Sequence, residues 1–453
     1  MFFGKTPDGL RLGAAMNLRM ILCSVATGFP VAVFGQGALT PDSPTPAPTM
    51  KSLQEIWDKL CELDERVGAL ESDASDEASS MEDALAGLGE VLGATTRYNW
   101  SVTTIDSSTD DVGKYASLAI SGDHDPAIAY YNATDRDLLF IEQDGSTWDK
   151  ETIDSYGYAG VHCSLAFSDD GHAGIAYQDE SDGALNFACR YEGSSSFLAY
   201  RVKSPDASQV WGTYNSLAFA PNGRPYIAHR DQDALKLYVS YLDQAVTETP
   251  GEFTSANWNT FSLMADLSGY HPSLDFKSDG RWGISHGLPG GGYNVQFIEQ
   301  SASGWSFTTP DSTAQSGQYT SAKFNSSNKP GIAYYDQASG SLKYASKPGS
   351  GWSSETVDAS ANVGKWCSLA FTTDDRPAIA YYDSTNGDLK YAERNSDGGW
   401  KVSTVDSDGD VGQYASLALG RLGRPWIAYY DVTNGNLKFA KASSRSFVAK
   451  FPQ

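Results

Sequence analysis

Short runs of apolar and polar residues alternate along the chain from Tyr98 onward, and Gly, Pro, Asn and Asp separate the runs. PAIAYY, which starts at Pro377, and LKYA, which starts at Leu389, have the length and the aromatic content of β-strands. The segment DSTNGD between them contains the Asn-Gly pair that supplies positive φ in tight hairpins. The pattern therefore predicts short antiparallel strands joined by hairpins.

The same strand pattern occurs seven times. The copies of its first strand begin at Gly113, Gly160, Gly212, Gly269, Gly317, Gly364 and Gly412. Their spacing of 47 to 57 residues matches one four-stranded propeller blade. One blade alone exposes both faces of its sheet, whereas a closed ring of blades buries them. We therefore expect an all-β, seven-bladed β-propeller of four-stranded antiparallel blades over residues 98–442, followed by a tail over 443–453.

Two segments compete to complete the seventh blade. Trp100–Asp106 (WSVTTID) has the pattern of a fourth strand but has no blade before it. Ser446–Pro452 (SFVAKFP) is the alternative. We favour the N-terminal segment because its pattern matches the other fourth strands better.

A helical period of seven precedes the propeller and predicts a coiled-coil stalk over residues 51–93, because its a and d positions are apolar except for Glu77. These positions are Leu53, Ile56, Leu60, Leu63, Val67, Leu70, Ala74, Glu77, Met81, Ala84, Leu88 and Val91. RVGALE resembles the short trimerisation motif of parallel coiled coils, with Arg66, Val67, Leu70 and Glu71 at the matching positions. It favours a homotrimer. The alternatives are a dimer and a single amphipathic helix that packs against the propeller of its own chain.

The first 50 residues resemble a targeting segment and a linker. Arg19 precedes an apolar stretch from Met20 to Phe34, and small residues follow it. This arrangement favours a secretory signal within residues 1–37; an uncleaved membrane anchor is the alternative. Residues 38–50 form a Pro-rich linker. We expect a secreted protein, extracellular or at the cell surface, that is not inserted in the membrane after cleavage.

Charge and cysteine content exclude several classes of function. The formal net charge of −23 disfavours nucleic acid and anionic membranes as partners, since both would repel the protein. The five cysteines form no CxxC pair and are too few for a disulfide scaffold in so long a chain. We therefore expect no metal site and no cofactor.

Two turns carry a resemblance to a known group of propellers. Asp144–Trp148 (DGSTW) and Ser396–Trp400 (SDGGW) look like degenerate Asp-boxes, and both fall between a third and a fourth strand. On these turns and the repeats, residues 98–442 resemble secreted bacterial propellers of the broad sialidase-like and lectin-like group. The resemblance implies the fold and makes carbohydrate an expected ligand. A sialidase also needs an arginine triad, whereas Arg224, Arg376 and Arg424 recur in turns of the opposite face.

Aromatic residues recur where the loop enters each first strand. Tyr115, Tyr214, Tyr319, Trp366 and Tyr414 should lie near the axis of one face, close to the second-strand ends at Tyr430, Asp336, Asp383 and Asp431. Aromatic rings stack on the C–H faces of sugars while carboxylates accept hydrogen bonds from hydroxyls, so these residues are candidate ligand contacts. The alternative is that the tyrosines pack between blades and that the aspartates start hairpins.

Histidine replaces tyrosine in three consecutive repeats. His162 and His271 stand at the first-strand aromatic position, and His229 and His286 stand at the second-strand position. They are candidate acid/base groups or metal ligands, or simple aromatic replacements. Three functions remain open: a non-enzymatic binding or adhesion protein for carbohydrate or another surface ligand, a polysaccharide lyase or glycosidase with one site in repeats two to four, and a structural surface protein.

Overall fold

The computed structural model describes residues 94–122, 124–204, 210–246, 255–263, 269–288, 294–313, 315–420 and 423–449. The predicted signal, linker and coiled coil, including Arg66, Val67, Leu70 and Glu71, lie outside the described residues. One compact unit spans Trp100–Lys441 and holds the blades. The described parts of the other unit, 94–99 and 442–449, are the ends of two long strands. The described residues contain no helix that is long and apolar enough to cross a membrane.

The compact unit consists of seven four-stranded antiparallel sheets, which confirms the predicted seven-bladed propeller. The first strand of the described residues is β1 (Ala94–Asp106). Blade one contains β2 (Val112–Ile120), β3 (Pro126–Asn132), β4 (Asp137–Asp144) and β5 (Thr147–Asp154). Blade two contains β6 (Ala159–Phe167), β7 (Ala173–Asp179), β8 (Ala184–Arg190) and β9 (Leu198–Lys203). Blade three contains β10 (Thr213–Phe219), β11 (Pro225–Asp231), β12 (Lys236–Leu242) and β13 (Trp258–Ser262), which follows a 3-10 turn at Ser255–Asn257.

The remaining blades repeat this order. Blade four contains β14 (Tyr270–Phe276), β15 (Trp282–Gly287), β16 (Val295–Ser301) and β17 (Gly304–Asp311). Blade five contains β18 (Ser316–Phe324), β19 (Pro330–Asp336), β20 (Ser341–Ser346) and β21 (Ser353–Asp358). Blade six contains β22 (Val363–Phe371), β23 (Pro377–Asp383), β24 (Asp388–Arg394) and β25 (Trp400–Asp406). The last strands are β26 (Val411–Leu419), β27 (Pro425–Asp431) and β28 (Asn436–Ala449).

The seventh blade combines the two ends of the propeller. Its strand order is β1-β28-β27-β26, so the N-terminal strand is the outer one. This confirms the favoured segment Trp100–Asp106 as the fourth strand. The described part of the competing segment, 446–449, continues β28 and does not form a separate strand.

A glycine opens every first strand because the neighbouring blade leaves no room for a side chain. The seven glycines have φ between +78° and +109°. A Cβ on Gly364 would stand 2.8 Å from the Cα of Leu342 in the preceding blade. The corresponding residue, Leu or Val, crowds the glycine of each other blade within 2.6–3.1 Å. The recurring glycine is therefore fixed by the packing of blade on blade.

The serine of each first strand links one blade to the next. Its hydroxyl accepts a hydrogen bond from the backbone N–H of the residue that follows the corresponding serine one blade further on, at 2.9–3.0 Å. The seven bonds run around the whole propeller through Ser117, Ser164, Ser216, Ser273, Ser321, Ser368 and Ser416. These contacts explain why the serine is present in all seven repeats, whereas the following residue, which donates through its backbone, is Ala322 in blade five.

Five second-strand tyrosines join neighbouring blades through carboxylates that are buried or, at Asp154, partly buried. Each donates its hydroxyl hydrogen, over 2.6–2.7 Å, to an aspartate at the end of the outer strand of the preceding blade. The pairs are Tyr130–Asp106, Tyr177–Asp154, Tyr334–Asp311, Tyr381–Asp358 and Tyr429–Asp406. In three pairs a third-strand lysine, Lys343, Lys390 or Lys438, also contacts the aspartate. These tyrosines therefore have a structural role.

Candidate binding site at the propeller axis

Seven aromatic side chains, one from each blade, form a closed ring around the axis. Neighbouring ring centroids are 4.4–5.3 Å apart all the way round. The members of this axial ring are Tyr115, His162, Tyr214, His271, Tyr319, Trp366 and Tyr414. All five first-strand aromatic residues predicted from the sequence are therefore brought together, and two of the four histidines complete the circle.

A β-bulge in each first strand turns these side chains toward the axis. In blade one, Lys114 is opposite Tyr131 and Ser117 is opposite Ala129, so the first strand carries one extra residue. The bulged aromatic residue has φ between +47° and +56° in all seven blades. This left-handed conformation costs a non-glycine residue roughly 1–2 kcal/mol. The chain maintains a costly backbone conformation at the seven positions that present the rings.

The ring surrounds a cavity of about 380 Å³. This volume lies within the range of about 300–1,000 Å³ that small-molecule sites occupy. The lining consists of the axial ring and of the next residue in each blade: Ala116, Cys163, Asn215, Pro272, Thr320, Cys367 and Ala415. Among the described residues this lining includes no Asp, Glu, Lys or Arg. The cavity is therefore an aromatic, electrically neutral surface with a few small polar groups.

The two ring histidines are uncharged at neutral pH. Loss of hydration, assisted by the nearby His271, lowers the pKa of His162 to about 3. Loss of hydration and the positive charge of Arg230 lower the pKa of His271 to about 4. Both imidazoles therefore line the cavity in their neutral form.

His229 and His286 are fully buried and are not part of the cavity lining. The Nε2 atom of His229 lies 2.9 Å from the Ser240 hydroxyl, and its ring lies 5.7 Å from that of Trp211. His286 lies beside the backbone of Gly287 and Gly269. Loss of hydration lowers the pKa of His229 to about 3 and that of His286 to about 4.

Unpaired polar groups occur on one side of the cavity, in blades three and four. The side-chain oxygen and nitrogen of Asn215 are both buried and have no hydrogen-bond partner among the described residues. The same holds for the Nδ1 atom of His271, the next member of the ring after Tyr214. Buried polar groups are normally paired, so these atoms are the natural contacts for hydroxyl groups of a bound molecule. The sequence analysis did not identify Asn215, although other repeats carry Ala, Cys, Pro or Thr at this position.

The remaining predicted ligand contacts lie outside the cavity lining. Tyr430 packs on Tyr414 with the centroids 6.2 Å apart, and its hydroxyl donates to Asp111 at 2.6 Å. Asp336, Asp383 and Asp431 are buried, and both oxygens of each accept hydrogen bonds within their own hairpins. This geometry corresponds to the structural alternative, in which the aspartates start the hairpins.

Within the part of the chain that the structure describes, no three His, Cys, Asp or Glu side chains come close enough together to hold a metal ion. The described cysteines Cys163, Cys189 and Cys367 are buried free thiols. The Sγ atoms of Cys163 and Cys367 lie 3.1 and 2.8 Å from the carbonyl oxygens of Tyr115 and Tyr319 in the preceding blades. These two thiols thus serve blade packing.

Fold and site together define a seven-bladed β-propeller with an aromatic axial cavity. No protein-family model matches the chain, and no curated protein matches it. Solved propellers resemble it distantly. A protein of unknown function from Dyadobacter fermentans is 12% identical over 76% of this chain and 98% of its own, with a TM-score of 0.49. The SapL1 lectin, solved with alpha methyl fucoside, is 16% identical over 64% of this chain and 95% of its own, with a TM-score of 0.45.

An alpha-L-arabinanase from Penicillium chrysogenum, solved with arabinobiose, is 10% identical over 77% of this chain and 98% of its own, with a TM-score of 0.46. Similarity at this level says nothing about the ligand of the present chain.

Proposed function

We propose that the protein is a non-enzymatic binding protein whose axial cavity holds one or two sugar residues of a surface glycan. The observation that carries the proposal is the closed ring of seven aromatic side chains around a neutral cavity. Sugar C–H groups stack favourably on such faces. The unpaired groups of Asn215 and His271 then supply hydrogen bonds to the sugar hydroxyls.

The chemistry of the ring supports binding over catalysis. Most glycosidases work with a pair of carboxyl groups, and the described lining of the cavity contains none. A lyase needs a base whose pKa is near the working pH. His162 and His271, with pKa values of about 3 and 4, are too weakly basic for that task at neutral pH.

The N-terminal segments extend the proposal. A secreted chain with a trimeric stalk over 51–93 would carry three heads, and linked heads bind a glycan surface more tightly than one head does. The mass of the full chain in solution, measured by light scattering, tests this part. A monomeric mass would contradict the trimer and the avidity that depends on it. It would not bear on the proposed axial binding site, which is tested separately.

The axial site is tested on a glycan array and then by titration calorimetry with the glycans that bind. Trp366→Ala removes one wall of the cavity and should weaken binding roughly fivefold, since stacking on an aromatic ring contributes about 1 kcal/mol. Trp305→Ala is the matched control, because Trp305 is 42% exposed on an outer strand and away from the cavity. Equal affinities in the two variants would overturn the axial site. A blank array with folded protein would overturn the proposed function.

A further inference from the structure

One second-strand tyrosine lacks the partner that its counterparts have. Tyr335, Tyr382 and Tyr430 each donate the hydroxyl hydrogen, over 2.5–2.6 Å, to an Asn or Asp two residues before the first-strand glycine of the next blade. Tyr131 is their counterpart in blade one, but there Tyr158 occupies the acceptor position. Within the described chain the Tyr131 hydroxyl has no hydrogen-bond partner, and it reaches the protein surface. The replacement at residue 158 therefore leaves this hydroxyl available to another molecule.

The loop between β5 and β6, which carries Tyr158, is fixed from both sides. The Tyr158 N–H donates to the carboxylate of Asp179 at 3.2 Å, and the Tyr158 carbonyl accepts from the N–H of Glu180 at 3.1 Å. The N–H of Ala159 donates to the carbonyl of Arg136 at 3.0 Å. The guanidinium carbon of Arg136 also lies 4.1 Å from the centroid of the Tyr158 ring. The ring is thus held in place before a ligand arrives, which lowers the entropic cost of binding.

Two aromatic rings of this loop are exposed beside the entrance to the axial ring. Tyr156 is 80% exposed and Tyr158 is 40% exposed, and no other tyrosine of the described residues is as exposed. The loop leads directly into β6, whose His162 is a member of the axial ring. Exposed aromatic rings at a fixed position offer the flat apolar faces on which sugar C–H groups stack.

Tyr131 connects this loop to the axial site. Its ring centroid is 6.2 Å from that of Tyr115, which is a member of the axial ring. Burial raises the pKa of both phenols, and the negative charge of the exposed residue Glu180 adds to the increase in each. The positive charge of Arg136 opposes the increase at Tyr131. The carboxylate of Glu180 and the guanidinium of Arg136 are therefore close enough to Tyr131 for their charges to act on its hydroxyl.

We propose that the glycan of the axial site continues outward over the junction of blades one and two, so that the ligand is an oligosaccharide longer than the axial cavity. This inference rests on the proposed function and specifies its ligand. A further sugar ring packs against Tyr158 and Tyr156. Its hydroxyl groups form hydrogen bonds with the hydroxyl of Tyr131 and the carboxylate of Glu180. The unpaired tyrosine and the exposed loop thus form a second subsite.

The test compares the affinity of the full chain for saccharides of increasing length. The glycan array carries glucose, galactose, mannose and xylose series of one to six residues, and each series that binds is then titrated by calorimetry. We expect the longer members to bind roughly fivefold more tightly than the disaccharide, because one further ring stacks on tyrosine. Trp366→Ala should weaken binding of every member, since Trp366 lines the axial cavity.

Tyr158→Asp is the variant that tests the second subsite. It places a carboxylate where three other blades have Asn or Asp, so that Tyr131 regains an acceptor and the melting temperature should be unchanged or raised. The long saccharides should then bind no more tightly than the disaccharide. Leu198→Ala is the matched control, because Leu198 is 42% exposed on the outer strand of the same blade. This variant should retain the gain in affinity with length.

The outcomes separate the second subsite from the axial one. Equal affinities for the disaccharide and the longer members, or a gain that persists in Tyr158→Asp, would overturn the extension and leave the axial site intact. If none of the four series binds, the extension also fails. A blank array with folded wild-type protein would overturn the proposed function as well.

Discussion

The side-chain hydroxyl of Ser416, in blade seven, accepts a 2.9 Å hydrogen bond from the backbone N–H of Leu118, in blade one. It is the bond at which the circle of first-strand serines closes. Blades seven and one are also joined through β1, the outer strand of blade seven, whose Asp106 accepts the hydroxyl hydrogen of Tyr130 in blade one. The ends of the propeller are therefore held together near the axis and at the outer strand by independent contacts.

Ser416→Ala should lower the free energy of unfolding by about 1–3 kcal/mol, because the buried N–H of Leu118 loses its acceptor. Urea denaturation measures the change. Ser303→Ala is the control, since that hydroxyl is exposed and bonds only to a neighbouring exposed serine. If both variants unfold at the same urea concentration, the serine circle does not contribute to stability.

Acid should unfold the propeller through its buried aspartates. Burial acts to raise the pKa of Asp311, but hydrogen bonds from Lys343, the Thr313 backbone and Tyr334 outweigh it and bring the pKa to about 2. A carboxylate with a lowered pKa in the folded state stabilises the fold above its unfolded pKa near 4 and loses that contribution as the pH falls toward 2. For Asp311 the contribution is about 2 kcal/mol.

Asp311→Asn should therefore lose about 2 kcal/mol of stability at pH 7 and much less at pH 2. Urea denaturation at both pH values measures the difference. Asp144→Asn, at an exposed hairpin residue, should follow the wild type at both. A pH-independent loss in Asp311→Asn would mean that the carboxylate acts through packing and not through its charge.

The repeats predict the fold well because the same packing contacts between blades require the same residue types in each of the seven repeats. The axial position of Tyr115 and its counterparts also follows from the pattern, since the residue stands at the entry of every first strand. The bulge that orients it does not, because a tyrosine with positive φ leaves no mark in an apolar-polar pattern. From the sequence pattern alone, all four histidines were predicted to lie on one face. In the structure His229 is buried against Trp211, because the pattern does not show how deep a second-strand side chain lies.

One departure from the repeat can be read as a matched change between blades. Lys203 is opposite Leu185, the register that Asp154 occupies opposite Leu138, so lysine replaces the inter-blade aspartate before blade three. His229 replaces the tyrosine that would donate to it. His229→Tyr alone should destabilise the protein by about 1–3 kcal/mol, because the new hydroxyl is buried without an acceptor.

Adding Lys203→Asp to His229→Tyr should recover at least part of that loss, by restoring the pair seen at Tyr177 and Asp154. Thermal unfolding of the two single variants and the double variant gives the coupling energy. Additive effects would show that the two positions are not coupled and that their joint departure from the repeat has another origin.

The left-handed conformation of the axial ring predicts a reversal of the usual ranking of alanine and glycine. Tyr414 has φ +54°, a conformation that glycine adopts freely and alanine does not. Tyr414→Gly should therefore be more stable than Tyr414→Ala by about 1 kcal/mol, although both lose the same ring contacts.

Val402 is the control position, because it lies on an outer strand and does not have a positive φ. There alanine should be the more stable replacement. Urea denaturation of the four variants measures both rankings. If alanine is also the better replacement at residue 414, the bulge relaxes when the ring is removed, and the aromatic contacts themselves hold the backbone in its left-handed form.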